Sequence, residues 1–231
     1  QIMDQKAKKV LLWILDLSIN VGVILILVFV IQKWLIAPFD VSGASMCDTL
    51  NYINDECESG YGEKIIINEA GYIFSEPERG EIVVFKADME EDKYYIKRVI
   101  GLPGETVEIK NGKIYITKPG EEEAKKLNEE YLNGDNFDNT KVFFSNFSVF
   151  SVPEDHYFLL GDNRKASTDS RSCFLSSIKL DCKDTPERAY IHKDNIRGKA
   201  WIAWWPLSKL RIIHGPDYLL DQEISESLAE K

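Results

Sequence analysis

Three polar residues in different parts of this chain have the types that could do chemistry together. The first is Ser45, in Val41-Ser42-Gly43-Ala44-Ser45-Met46. A serine on a glycine-bearing turn can serve as a nucleophile if a base removes its proton, although a loop serine taken alone is ordinarily structural. The second is Lys97, inside the apolar run Tyr95-Ile96-Lys97-Arg98-Val99-Ile100. Pointed inward, its amine would be pushed by burial from about 10.4 toward neutrality and could then accept a hydroxyl proton. On the wet face of an edge strand it would be an ordinary surface cation. The third is Ser167, in the turn-rich stretch Gly161-Asp162-Asn163-Arg164-Lys165-Ala166-Ser167-Thr168-Asp169-Ser170-Arg171. That stretch reads either as a polar surface loop or as one in which Ser167 aims a buried amine while Asp169 and Arg171 pair to hold the loop.

The elements that must position these residues are mainly β. Short runs rich in Val, Ile, Tyr and Phe occur at 64–67, 81–86, 94–100, 106–109, 113–117, 142–150, 157–160 and 197–204, separated by Gly, Pro, Asn or Asp. Lys110-Asn111-Gly112-Lys113 predicts a two-residue hairpin, since Asn-Gly supplies the positive φ of a type I′ turn. Residues 118–140 are polar and charged and read as a solvated excursion. The end of the chain, DQEISESLAEK, reads as a polar tail that frays.

Ahead of the β-rich part, residues 10–31 (VLLWILDLSINVGVILILVFVI) carry a single charge, Asp16. About 20 such residues suffice for a helix to cross the hydrocarbon layer, and Asp16 is tolerable if it lies near an end. Lys33 and Trp34 read as interfacial anchors. A cleaved signal peptide fits poorly, because the run is long and no A-x-A-like site follows it. Lys6, Lys8 and Lys9 precede the run while Asp40 and Asp48 follow it, which predicts a cytoplasmic N-terminus and an extracytoplasmic remainder.

The net charge is −10, from 38 acidic and 28 basic side chains, which argues against nucleic-acid partners. Four cysteines fall into two close pairs without a C-x-x-C. Outside the cytoplasm, disulfides suit them better than zinc. Cys47–Cys57 with Cys173–Cys182 is one of three possible connectivities, and four buried thiols are the alternative. The expected organisation is an N-terminal segment (1–9), an anchor (10–34), a catalytic domain (35–220) and a polar tail (221–231). Within the domain, 106–155 would be a smaller β/loop insertion and 172–195 a Cys-bounded loop.

Taken together and in order, the segments resemble the motif boxes of type I signal peptidases of the bacterial serine–lysine kind. Ser45-Met46-Cys47-Asp48-Thr49-Leu50 resembles S-M-x-P-T-L. Arg79 to Phe85 resembles R-G-D-I-V-V-F, and Tyr95 to Glu105 resembles Y-I-K-R-V-I-G-L-P-G-D. Gly161 to Arg171 resembles G-D-N-R-x-x-S-x-D-S-R, and Ile196 to Ala200 with Trp205-Pro206-Leu207 resembles the family's closing strand. Roughly 110–155 and 173–190 lie outside the resemblance. Asp48 stands where the family usually has proline, so the turn after Ser45 is looser or is held by Cys47–Cys57 instead.

The resemblance implies an antiparallel β catalytic domain of the signal-peptidase kind behind one transmembrane helix. It implies Ser45 as nucleophile, Lys97 as base and Ser167 as the hydroxyl that aims the Lys97 amine. Asp169 with Arg171, and Arg98 with Asp162, would be supporting ion pairs. The Ser45 N–H would be one oxyanion donor, with Gly43 at the position where some members add a serine hydroxyl. Phe39, Val41, Met46, Leu50, Tyr95 and Ile96 would wall two shallow substrate pockets. Exported preproteins and the lipid bilayer are the implied partners, with no metal or cofactor. Trp201, Trp204 and Trp205 would dip into the membrane interface or pack in the core. Rival readings are a serine–lysine protease with a narrow substrate, such as pilin or itself, and a non-enzymatic membrane-tethered β module.

Overall fold

The computed structural model describes residues 5–47, 49–54, 56–87, 93–143, 148–175 and 185–216. The polar tail 221–231 lies outside them. Helix α1 (Gln5–Trp34) comes first. Its stretch Ala7–Ile31 is long and apolar enough to cross a membrane, and its most apolar window is not buried. At about 1.5 Å per residue those 25 residues exceed the roughly 30 Å of a hydrocarbon core. The helix satisfies its own polar groups: Ser18 Oγ donates to Ile14 O and Asn20 Nδ2 to Asp16 O.

The chain then runs through β1 (Ile36–Ser42), the short hairpin β2 (Tyr52–Ile53) and β3 (Glu56–Cys57), β4 (Tyr61–Asn68) and the single turn α2 (Gly71–Phe74). Next come β5 (Ile82–Lys86), β6 (Tyr94–Gly101), β7 (Thr106–Lys110), β8 (Lys113–Thr117), β9 (Lys125–Lys126), β10 (Val149–Ser151) and β11 (His156–Leu160). β12 (Ile191–His192), β13 (Ile196–Trp205) and β14 (Arg211–Ile212) complete it. The main antiparallel sheet has the order β1-β4-β13-β5-β6-β11-β12, with β14 paired to β13. A second sheet, β10-β7-β8-β9, is built from the chain between β6 and β11.

The fold class is mainly antiparallel β with one N-terminal helix, as the sequence leads one to expect. Strand β1 was not among the predicted runs. It contains Pro38, which cannot donate to a ladder and is therefore confined to an edge, and β1 is the edge strand of the main sheet. The Asn-Gly hairpin forms as expected between β7 and β8, with φ of 53° at Asn111 and 80° at Gly112. A Cβ on Gly112 would fall 2.0 Å from Asp138 O, so the turn also needs glycine for space.

Residues 118–140 depart from the solvated reading. Leu127, Glu129, Leu132, Asn136 and Thr140 are all buried. Leu127 follows β9 into the core that joins the two sheets, with Ile100, Val107, Ile116, Phe150 and Phe158. The charges of this segment disguised a few apolar anchors. Within the predicted run 142–150, the described strand is Val149–Ser151, and 144–147 lie outside the described residues.

Candidate active site

Ser45 stands on the turn that follows edge strand β1, and Lys97 lies in mid-strand on β6. Lys97 Nζ is 2.8 Å from Ser45 Oγ and 2.8 Å from the carbonyl oxygen of Ile96. Lys97 is only 3% exposed. Burial pushes its amine down to about 8, against the pull of the Asp169 and Asp162 carboxylates, which favours the charged form. Near neutral pH a workable fraction of the amine is therefore deprotonated, and the nearest hydroxyl is that of Ser45. This is the geometry of a general base beside a nucleophile.

Both residues line a cleft of about 490 Å³ between β1 and β6. Phe39, Val41, Tyr95 and Ile96 also line it. Met46 and Leu50 do not. They are buried behind the Ser45 turn, in a core with Val41, Ile65 and Ile82. Ala166 and Thr168 close the cleft from the 161–171 loop.

The Ser45 turn is held by groups on three sides. Asn163 donates its backbone N–H to Ser45 O (3.1 Å) and its side-chain amide to Ala44 O (3.0 Å). Gly161 lies so close beneath that a Cβ there would fall 2.4 Å from Ser45 O. Asn51, fully buried at φ 62°, donates to Val41 O and Gly43 O and accepts from Glu63 N–H. The disulfide Cys47–Cys57 staples the turn to β3. Asp48 and Cys182 lie outside the described residues. Cys173 is disulfide-bonded, and the expected partner was Cys182.

The Ser45 N–H makes no backbone hydrogen bond among the described residues. Gly43 is placed differently: its N–H is already donated to Gly60 O.

Two ion pairs expected to support the centre are formed and buried. Arg98 Nε donates to Asp162 Oδ1 at 2.8 Å, and a second bond joins Arg98 Nη2 to Oδ2. Arg171 grips both oxygens of Asp169 at 2.9 and 2.8 Å. Burial alone would raise the Asp169 carboxyl, but Arg171 and the Gly161 N–H hold it below its ordinary value. Asp169 also caps the turn of 3₁₀ helix at Ser170–Ser172.

Ser167 does not behave as expected. It is buried, yet its hydroxyl makes no well-formed hydrogen bond and does not reach the Lys97 amine. The amine is aimed by Ile96 O instead. The contributions of Asn51, Asn163 and Thr49, whose hydroxyl donates to Asp162 Oδ2 at 2.6 Å, were not anticipated. Asn51 carried a faint signal, as a polar residue close behind an apolar Leu50.

The chain is similar to known proteins along most of its length. The family profile described as "Signal peptidase, peptidase S26" matches residues 14–205. A protein named Signal peptidase IB from Staphylococcus aureus (strain COL) is 32% identical over 221 residues, 91% of this chain and 97% of that one. One named Signal peptidase I P from Bacillus subtilis subsp. natto is 34% identical over 198 residues, 84% of this chain and 98% of that one. A solved signal peptidase I from Enterococcus faecalis V583 aligns with a TM-score of 0.37 at 28% identity, covering 54% of this chain and 97% of that one.

Proposed function

The chain belongs to the signal peptidase family, peptidase S26, and from that premise we propose that it works as a membrane-bound serine endopeptidase with a Ser45–Lys97 dyad. Its substrates are exported preproteins, from which it removes N-terminal signal peptides. The observation that carries the dyad is the 2.8 Å approach of a buried lysine amine to a serine hydroxyl at the floor of an open cleft.

In this reading the cleavage segment of the preprotein lies extended in the cleft between β1 and β6, adding main-chain hydrogen bonds to exposed strand edges. Neutral Lys97 takes the Ser45 proton as Oγ attacks the scissile carbonyl. The oxyanion forms against the Ser45 N–H, and Lys97 returns the proton to the leaving amine. Water, activated by the same amine, then attacks the ester and releases Ser45. Arg98–Asp162 and Asp169–Arg171 hold the walls of the site in place.

Helix α1 is the anchor, with the N-terminus cytoplasmic and the domain 35–220 on the opposite side. β1 leaves the anchor within two residues, so Ser45 works close to the bilayer. Trp201 and Trp205 are exposed beside Leu207, Leu210 and Ile212. That apolar strip rests on the lipid interface, where amphipathic aromatic rings are at home. Trp204 is half-buried, its ring 6.4 Å from that of Trp205.

Mass spectrometry of a secreted reporter tests the reading. Cells that depend on this protein should yield the mature N-terminus, and cells depending on Ser45→Ala should retain the intact signal peptide. Normal maturation by Ser45→Ala would refute it.

A further inference from the structure

The most heavily built polar structure that the proposed reaction does not use joins the small-sheet insertion to the active-site loop. Arg164 lies in that loop, is 2% exposed, and donates to groups from two separate segments. Nε donates to Gly161 O (3.1 Å) within its own loop. Nη1 and Nη2 grip both oxygens of Glu129, and the Tyr131 hydroxyl lies 2.9 Å from Nη2. Thr140 Oγ1 accepts a further bond from Nη1. Glu129, Tyr131 and Thr140 all belong to the insertion. Burial works against the Arg164 charge, but Glu129 and Tyr131 more than offset it and hold the guanidinium ionised.

The same segment reaches the catalytic strand by a second route. The Tyr131 ring lies under the Arg98 guanidinium, 4.3 Å from its centroid, and Tyr131 OH also bonds Glu129 (3.0 Å). Arg98 holds Asp162, and the next residue, Asn163, grips Ser45 O and Ala44 O. Glu129 and Tyr131 therefore press on both flanks of the short Gly161–Arg164 segment that fixes the nucleophile. Neither is within the cleft.

We propose that Glu129, with Tyr131, is a positioning residue for catalysis: the insertion acts as a strut that holds Arg164 and Arg98, and through them the Ser45 turn and the dry surroundings of Lys97. The inference rests on the peptidase reading above. A buried guanidinium whose carboxylate is removed is left uncompensated, so the loop would shift to admit water, which both displaces Ser45 and lets Lys97 regain its proton.

The test uses the full chain in detergent micelles and a peptide carrying a small-x-small cleavage segment. Glu129→Gln should lower kcat per folded molecule by about tenfold or more with KM within about twofold, since misplacing a catalytic group costs on that scale. It should also move the acid limb of the pH profile upward from about 8. Glu121→Gln, at the exposed carboxylate that pairs with Lys125 in the same insertion, sets the background. A kcat within about twofold of the parent, or an unmoved acid limb, overturns the proposal and leaves Glu129 a structural tie only. If Glu129→Gln does not fold, the same two readings on Tyr131→Leu decide, with a loss of about threefold or more expected. A parent enzyme that fails to cleave would refute the peptidase reading itself. An active parent with indifferent variants refutes the strut alone.

Discussion

Strand β6 carries two cations on successive residues, which point to opposite sides of the strand. Both are buried, Lys97 at 3% exposure and Arg98 at 2%. On the Lys97 side there is no ion pair among the described residues, only the Ser45 hydroxyl and the Ile96 carbonyl. On the Arg98 side a carboxylate, itself bonded by the Thr49 hydroxyl, a carbonyl and an aromatic ring surround the charge. Burial alone thus does not decide what a cation becomes. A lysine left dry without a carboxylate bonded to it gives up its proton more readily and can act as a base. A guanidinium cannot do so, and must be given a carboxylate. In the proposed reaction one strand uses both outcomes, placing reactivity on one side and rigidity on the other.

The comparison breaks most completely if the reactive side is given the chemistry of the rigid one. Lys97→Arg keeps the charge and the length but cannot deprotonate, so kcat/KM should fall on the order of 1,000-fold or more. Single-turnover cleavage of a preprotein checks this, and normal cleavage would remove Lys97 as the base. The converse change strips the rigid side of its anion. Asp162→Asn leaves the Arg98 charge buried against a neutral amide, and stability should fall by about 3 kcal/mol or more. Urea denaturation of the micelle-bound protein reads it.

This division of labour was only half legible in the sequence. Ser45, Lys97 and the two ion pairs could be singled out because the ordered motif boxes resemble those of one family; the strand pattern alone left Lys97 equally an ordinary surface cation. The hydrogen-bond partners were not readable, because they are set by tertiary distances. Ser167 looked like the group that would aim Lys97, yet a backbone carbonyl one residue away does it. Met46 and Leu50 looked like pocket walls, yet apolar residues following a tight turn are drawn into the core behind it. The acidic 118–140 segment looked wet, because composition averages over the few positions that matter: Leu127 in the core and Glu129 on Arg164. Strand β1 was hidden by Pro38, whose compatibility with an edge cannot be seen until the sheet order is known.

The pH dependence sharpens the comparison, since only one of the two cations titrates. With Lys97 at about 8, kcat/KM should rise about tenfold per pH unit on the acid side and level off above that value. Stability should carry the same signature. Between about 8 and the ordinary 10.5, the unfolded chain holds this proton and the folded chain does not. More protons on the unfolded state mean that stability rises with pH across that window. Lys97→Met should remove both the acid limb with the activity and this part of the stability slope. An unchanged slope in Lys97→Met would assign it elsewhere.

The smallest effect is expected where the two sides meet. Thr49 donates its hydroxyl to Asp162 Oδ2, while its N–H donates to Met46 O and its carbonyl accepts from Arg211 on the turn that carries Ser45. Thr49→Val removes one bond to a charged acceptor that retains both of its bonds from Arg98, and stability should fall by about 1–2 kcal/mol. The turn keeps its ties to Asn51, Asn163 and Cys57. For that reason kcat should fall by no more than about threefold, roughly the rate loss of a slightly displaced nucleophile. A much larger loss of kcat in a well-folded Thr49→Val would mean that the Arg98 side reaches the reaction through this hydroxyl, and the two sides of β6 would then have to be treated as one.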